Sequence, residues 1–117
     1  MTTLIEQVQA TIAPIVSGGA WYGVNTTEPP VYPYAVFLRI VSPTNVTLQG
    51  PSDVQNTIFQ IDIFSRTVAE GQALEAALEA AMNTAPFSSV QIDQRDGYEP
   101  EVKAFRFTGD YSVWSSN

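Results

Sequence analysis

The spacing between hydrophobic residues changes along this chain, and the first segment has the spacing of a helix. Apolar residues recur at near-helical spacing over residues 5–15, behind a Thr-x-x-Glu capping box formed by Thr3 and Glu6. Pro14 lacks a backbone N–H and clashes inside a helix, so it either breaks the segment or opens a further turn. The pattern therefore predicts a first helix over about residues 3–13.

The middle of the chain alternates with the period of two that is typical of strands. A short edge strand is predicted at Ala20–Val24 and longer strands at Tyr34–Val41 and Asn56–Ser65, with a polar connection over Pro43–Asp53. The last of these strands is amphipathic. One of its faces carries Phe59, Ile61 and Ile63, and the other carries Ile58, Gln60, Asp62 and Phe64.

A second helical pattern follows. Thr67 and Glu70 repeat the capping box, and a helix is predicted over Val68–Met82. Glu75 and Glu79 are expected to face water. The residues expected to face the core are Leu74, Ala77, Leu78 and Ala81.

The C-terminal part returns to strands. A short strand is predicted at Ser89–Asp93 with Val90 and Ile92 turned inward, followed by a loop over Gly97–Glu101. The final strand alternates most cleanly. One face carries Phe105, Phe107, Gly109, Tyr111 and Val113, and the other carries Arg106, Thr108, Asp110 and Trp114.

The order helix, strand, strand, helix, strand, strand predicts an α+β fold. We expect a mainly antiparallel sheet of about four to five strands with two helices packed on one face. With 117 residues, of which 44% are hydrophobic and 15% charged, the chain is expected to form a single domain over residues 1–117.

The composition narrows the possible chemistry. The chain has no cysteine and no histidine, which excludes thiol nucleophiles, zinc–thiolate sites and histidine acid–base catalysis. Its formal charge of −7 and its scattered bases do not favour binding to nucleic acid or to anionic membranes. The N-terminal segment lacks a basic region before its apolar residues, so we expect no secretory signal, and no apolar run approaches membrane-spanning length. No cofactor or nucleophile motif occurs either, so we expect neither an enzyme nor a cofactor.

The acidic residues near the C-terminus allow two weaker interpretations. Asp93 with Asp96, or Glu99 with Glu101, could act as an acid–base pair. Asp93, Asp96 and Glu99 could instead ligate a hard cation such as calcium, although their spacing is not that of an EF-hand loop. The favoured interpretation is a solvated loop that is rich in carboxylates.

The strand faces opposite the aromatic core mix charged and apolar residues, and two interpretations remain open. The face is either solvated, with weak cross-strand ion pairs, or covered by another subunit. The candidate residues for a subunit interface are Phe37, Arg39, Ile58, Asp62, Arg106 and Trp114.

Several stretches, in the same order over nearly the whole chain, resemble a family of small bacteriophage tail-completion proteins, the tail terminators. They are structural patterns rather than specific motifs, and the chain departs from the family in its proline-rich stretch Thr26–Pro33. The matching stretches are Gly18–Gly23, Pro33–Ile40, Thr47–Ser52, Phe59–Ser65, Ala69–Leu74, Tyr98–Glu101 and Asp110–Trp114.

The resemblance implies a non-enzymatic virion protein. Such proteins form a hexameric ring at the head-proximal end of the tail, after assembly in the host cytoplasm. The ring caps the tube, stops its growth and offers a docking surface to a head-side connector or head-completion protein. DNA would pass through an acidic lumen only as cargo, and the acids would limit sticking. Candidate loop residues for contact with the tail tube protein or the head are Asn45, Thr47, Gln49, Asp53, Tyr98 and Glu99.

Two other functions are compatible with the sequence. The chain could be a head-completion adaptor or a tail-tube subunit of the same virion, which share this type of fold. It could also be a small enzyme or ligand-binding domain, against which the missing histidine and cysteine weigh.

Overall fold

The computed structural model describes residues 3–27, 29–41, 46–47, 50–51 and 54–116. Within these residues, two α-helices, one short 3-10 turn and seven strands follow one another. They are α1 (Leu4–Ile12), the 3-10 turn (Ala13–Ile15), β1 (Ala20–Tyr22), β2 (Tyr34–Val41), β3 (Val46–Thr47), β4 (Gly50–Pro51), β5 (Val54–Ser65), α2 (Val68–Asn83), β6 (Ser88–Glu99) and β7 (Ala104–Ser116).

Five strands form one sheet in the order β1-β2-β5-β7-β6, and β3 pairs with β4 in a separate two-stranded ribbon. All neighbours in the sheet are antiparallel except β1 and β2, which are parallel. Strands of 12 to 13 residues explain the longest dimension of 51 Å, because each residue adds about 3.4 Å. The predicted α+β class, with a mostly antiparallel sheet and two helices, is confirmed.

The two helices begin differently, although both start at a threonine. In α1 the Glu6 N–H donates to the Thr3 hydroxyl at 3.2 Å and the Thr3 N–H donates to the Glu6 carboxylate at 2.9 Å, so the predicted capping box is complete. The backbone bond from Thr3 lowers the pKa of Glu6. In α2 the carboxylate of Glu70 accepts instead from the Ser65 hydroxyl at 2.7 Å, so the predicted second box is only half formed.

The core lies between the helices and one face of the sheet. Helix α1 contributes Val8 and Ile12, and α2 contributes Leu78 and Met82. Leu74 packs only at the margin, and the predicted inward residue Ala77 is exposed. The buried apolar residues on the sheet include Ala35, Phe37, Phe59, Ile61, Ile63, Phe107, Tyr111 and Val113.

Gly71 brings α2 close to the sheet, a role that the sequence analysis did not identify. A Cβ added at Gly71 would overlap the ring of Phe107. The backbone of α2 therefore lies almost directly on this ring. Substituting any larger residue would force the helix or the ring to move.

The predictions for β6 need correction. This strand extends over Ser88–Glu99, well beyond the predicted Ser89–Asp93, and it includes part of the segment predicted as a loop. Val90 and Ile92 were predicted to face inward, but both are exposed. The inward residues are Ser89 and Gln91, which pair with Val113 and Tyr111, and Ile92 occupies a bulge. Both inward residues are polar but only half-buried, and the Ser89 hydroxyl donates to the Met82 carbonyl at 3.0 Å, which compensates its burial.

Candidate interaction surface

One face of the sheet is left uncovered by the helices, and we call it the open face. The register places its residues in rows that cross β2, β5, β7 and β6. From one end of the strands to the other, the rows are Tyr34–Phe64–Arg106–Gly97, Val36–Asp62–Thr108–Arg95, Leu38–Gln60–Asp110–Asp93 and Val41–Ile58–Ser112–Val90.

The middle rows form a polar band. The hydroxyl of Thr108 donates to one carboxylate oxygen of Asp62, and the Gln60 amide donates to the other at 3.3 Å. The guanidinium of Arg95 bridges Asp93 and Asp110, at 3.0 Å from the latter. Hydrogen bonds to Asp110 and then Asp93 raise the pKa of Arg95. The bridge offsets the repulsion between two carboxylates that face each other across β6 and β7.

Apolar side chains flank this band. Ile58 and Phe64 are half-buried on β5, and Phe64 stacks on Tyr34 with ring centroids 4.9 Å apart. Leu38, Val90 and Trp114 are exposed. Burial raises the pKa of Tyr34 to about 12, with a further contribution from Tyr32. The open face thus offers a partner both apolar area and fixed charges.

The six interface candidates do not share one surface. Phe37 is fully buried in the core, so its assignment to the open face is wrong. Its partner in the sheet is Ile61, and paired residues share a face. The other candidate on β2, Arg39, is exposed and pairs with Phe59, on the covered side of the sheet. The candidates on the open face are Ile58, Asp62, Arg106 and Trp114.

The loop candidates are also only partly described. Asn45, Gln49 and Asp53 lie outside the described residues, and Thr47 belongs to β3. Tyr98 and Glu99 were predicted in a loop but are the last residues of β6. Tyr98 packs against Phe105 with ring centroids 5.0 Å apart, and Glu99 pairs with Arg106 at 3.0 Å. They therefore lie at the base of the turn between β6 and β7.

The Asp93–Asp96 pair and the calcium arrangement do not form, and the carboxylate of Glu99 pairs with Arg106. Asp93 pairs with Asp110 on the open face, whereas Asp96 pairs with Phe107 and faces the covered side. Strand alternation thus separates the two carboxylates. Among the described residues, no group of three or more acidic side chains is arranged to hold a metal ion.

A cleft of about 280 Å³ opens between the start of α2 and the end of the β6–β7 hairpin. Its lining is mostly apolar, with one carboxylate from Asp96.

The described helices include none with the length and apolarity that crossing a bilayer requires.

Both the sequence and the fold are similar to those of known proteins. A sequence model of the family described as "Tail completion protein gp17" matches residues 6–116. A solved structure titled "Virion of native gene transfer agent (GTA) particle" contains a similar chain, with a TM-score of 0.68 and 14% identity. The similarity covers 97% of this chain and 91% of that chain, and it shows a shared fold. No curated protein matches the sequence. The extent of the family match shows that this chain belongs to the tail completion proteins, structural components of phage tails.

Proposed function

We propose that this protein forms a hexameric ring at the head-proximal end of a phage tail, where it ends tail growth and offers the surface to which the head docks. The family match over residues 6–116 carries the proposal. The ring assembles in the host cytoplasm from subunits that meet head to tail, so that each presents two different surfaces.

The ends of the subunit suit contact with two different partners. The connection between β2 and β5, which contains β3 and β4, leaves the sheet at the end where Val54 pairs with Ser116. The turn between β6 and β7 lies at the other end, where Glu99 pairs with Ala104 and Ser65 pairs with Phe105. One end can therefore contact the tail tube protein while the other contacts a head-side connector or head-completion protein.

The charge of the subunit suits a ring through which DNA passes. A formal charge of −7 per subunit gives a ring an excess of acid, which repels a polyanion and limits its sticking. Because Asp93 lies on the open face and Asp96 on the covered side, neutralising each in a separate variant tests which face has this role in the lumen. Unchanged DNA ejection and infectivity would contradict the proposal that acidic residues in the lumen limit the sticking of DNA.

The same proposal assigns the protein no catalytic role and no cofactor. Arg95 and Arg106, which could activate a substrate phosphate or carboxylate, are already engaged by the carboxylates of Asp110 and Glu99. These ion pairs join the charged groups of the open face to one another, while Nε of Arg106 and Oδ1 of Asp110 are buried without a hydrogen-bond partner among the described residues.

Electron microscopy of particles from a phage that lacks this gene tests the proposal. We expect overlong or ragged tails that are not attached to full heads. Tails of normal length that fail to attach would favour a head-completion adaptor, and the complete absence of tails would favour a tube subunit. Intact infectious particles would contradict an assembly role altogether.

A further inference from the structure

The two edges of the sheet carry matching features at the same height. Arg39 on β2 pairs with Phe59, which pairs with Tyr111, which pairs with Gln91 on β6. One row of the sheet therefore joins Arg39 to the opposite edge. Each edge also has a bulge next to this row, between Arg39 and Val41 on β2 and between Gln91 and Asp93 on β6.

Exposed apolar side chains cluster at both bulges. Leu38 and Ile40 are each 43% exposed on β2, and Val90 and Ile92 are 55% and 53% exposed on β6. Bulges near sheet edges re-aim side chains, and large exposed apolar residues that cluster mark a contact surface. The two clusters are similar in size and lie on opposite sides of the subunit.

Both edges have outward-facing backbone groups in this region, although the Arg39 N–H donates to the Tyr22 hydroxyl at 3.5 Å. Strand β1 pairs only with Ala35, Val36 and Phe37 of β2, so the last residues of β2 have no strand beside them within the described sheet. Strand β6 is the other edge and pairs only with β7. Unpaired strand edges are ready templates for pairing with another chain.

The charges of the two edges are complementary. Ion pairs in the described part of the chain involve Arg95 and Arg106, and Arg39 takes part in none of them. On the other side, Glu75 and Glu79 lie near Tyr111, in the row that ends at Gln91. Burial, followed by the charges of Glu79 and Glu75, raises the pKa of Tyr111.

Two buried polar atoms at this site lack partners. Oε2 of Glu75 and the hydroxyl of Tyr111 make no hydrogen bond within the described residues. Buried polar groups are normally satisfied, and an unpaired carboxylate oxygen next to a second carboxylate attracts a cation. Glu79 is exposed beside these buried atoms, and its carboxylate is the group that a guanidinium from outside can reach.

We propose that the end of β2 in one copy of this chain docks against the first half of β6 in the next copy, with Arg39 reaching the exposed carboxylate of Glu79. Leu38 and Ile40 then cover Val90 and Ile92. This inference rests on the ring proposed above and specifies its interface. Since the two patches differ, the contact is heterologous, and repeating it by rotation closes a ring.

The strand directions support this geometry. Within a subunit, β2 and β6 run antiparallel, because each step from β2 through β5 and β7 to β6 reverses direction. Rotation about an axis that runs along the strands keeps these directions and heights. The end of β2 therefore meets the β6 of its neighbour as an antiparallel pair at matching height, with their apolar clusters in contact.

Disulfide trapping tests the interface directly, because the chain has no cysteine of its own. We expect Ile40→Cys with Val90→Cys to give, on oxidation of assembled particles, a ladder of crosslinked species that ends at the closed ring. The two sites lie three strand spacings apart within a subunit, about 14 Å, too far for an internal disulfide. Ile40→Cys with Tyr98→Cys is the control, because Tyr98 is exposed on the same strand but several rows away.

Three results would overturn the interface. They are the absence of a ladder from the first pair, an equal ladder from the control pair, and dimers from either single-cysteine variant, which would indicate a two-fold contact. Failure of the interface is distinguishable from failure of the proposed function. If the gene deletion gives unjoined tails but no ladder forms, the function stands without this interface. If a ladder forms but the deletion leaves intact particles, the interface stands without that function.

Charge reversal tests the role of Arg39. We expect Arg39→Glu to reduce the amount of protein retained per purified particle by about tenfold or more, and the added Glu79→Arg substitution to restore much of it. Glu79→Arg alone should lower the retained amount in the same way, so that the double variant restores what each single substitution loses. Wild-type retention of Arg39→Glu would exclude the proposed contact.

Discussion

The two faces of the sheet, built from the same strands, are stabilised by different interactions. The face of the sheet that lies under the helices is the covered face, and on β5 it carries Phe59 and Ile61, which are fully buried. The open face of the same strand carries Ile58, Gln60 and Asp62, which alternate with them. Apolar burial stabilises the first face without directional demands. The second face depends on hydrogen bonds and ion pairs whose partners must sit at particular rows.

This difference assigns the two faces to different levels of structure. The covered face explains why the single subunit folds, because it buries the large apolar side chains of the chain. The open face retains half-buried and exposed apolar residues that its own chain does not cover. Substitutions on the first face should therefore affect folding, and substitutions on the second should affect assembly more than folding.

Two isoleucines on one strand give the largest expected contrast. We expect Ile61→Ala to lower the free energy of unfolding by about 2–5 kcal/mol, because it leaves a cavity in the core. Ile58→Ala removes the same atoms from the open face, where the side chain is only half-buried, and should cost less than half as much. Denaturant unfolding measures both. Equal losses would mean that the open face is as important for folding as the core.

The contact of α2 with the sheet gives the next largest effect. Gly71→Val would push a branched side chain into the ring of Phe107, and we expect a loss of about 3 kcal/mol. Gln72→Val is the matched control, because it adds the same residue one position along the helix, where the side chain is exposed. Thermal unfolding of both variants separates packing from helix propensity. Similar melting temperatures would disprove the close approach.

Loss of a hydrogen bond in the polar band of the open face should have a smaller effect on the free energy of unfolding. Asp62→Ala leaves the buried hydroxyl of Thr108 without the acceptor it uses, and we expect a loss of about 1 kcal/mol. The double variant with Thr108→Val removes both partners and should recover part of this loss. A double-mutant cycle measures the coupling between the two side chains. Strict additivity would show that their hydrogen bond contributes nothing.

Much of the covered face could be predicted from the sequence, because alternation and helical spacing are local signals. The faces of β5 and β7 and the bounds of β2 follow directly from such patterns. The position of Phe37 could not be predicted, because both faces of β2 are rich in apolar residues and its parity favours neither. Tertiary contact with Ile61 and the helices decides which face is buried.

Strand β6 was the hardest element to predict, and its difficulty has a physical cause. Its sequence runs through Asp93, Gln94, Arg95, Asp96 and Gly97, of which the two aspartates and the glycine favour turns when considered locally. Pairing with β7 overrides this preference, and the bulge at Ile92 reverses the parity on which the inward assignment of Val90 and Ile92 depended. The proximity of Glu75 to Tyr111 could not be predicted from a local pattern, because it joins a helix to a strand; Glu75 was expected to face water, but its Oε2 atom is buried.

The smallest expected effect concerns Arg95, and it separates the two faces by their response to salt. Removing Arg95 leaves Asp93 directly opposite Asp110, so Arg95→Ala should lower the melting temperature slightly at low ionic strength. The difference should shrink at about 1 M salt, where the Debye length falls to about 3 Å. Arg66→Ala removes the same charge from a guanidinium that lies 4.2 Å from the centre of the Tyr32 ring, away from any such carboxylate pair, and serves as the control. If the drop in melting temperature caused by Arg95→Ala did not depend on salt concentration, the aliphatic stem of Arg95, rather than its charge, would stabilise this face. The distinction between an apolar covered face and an ionic open face would then weaken.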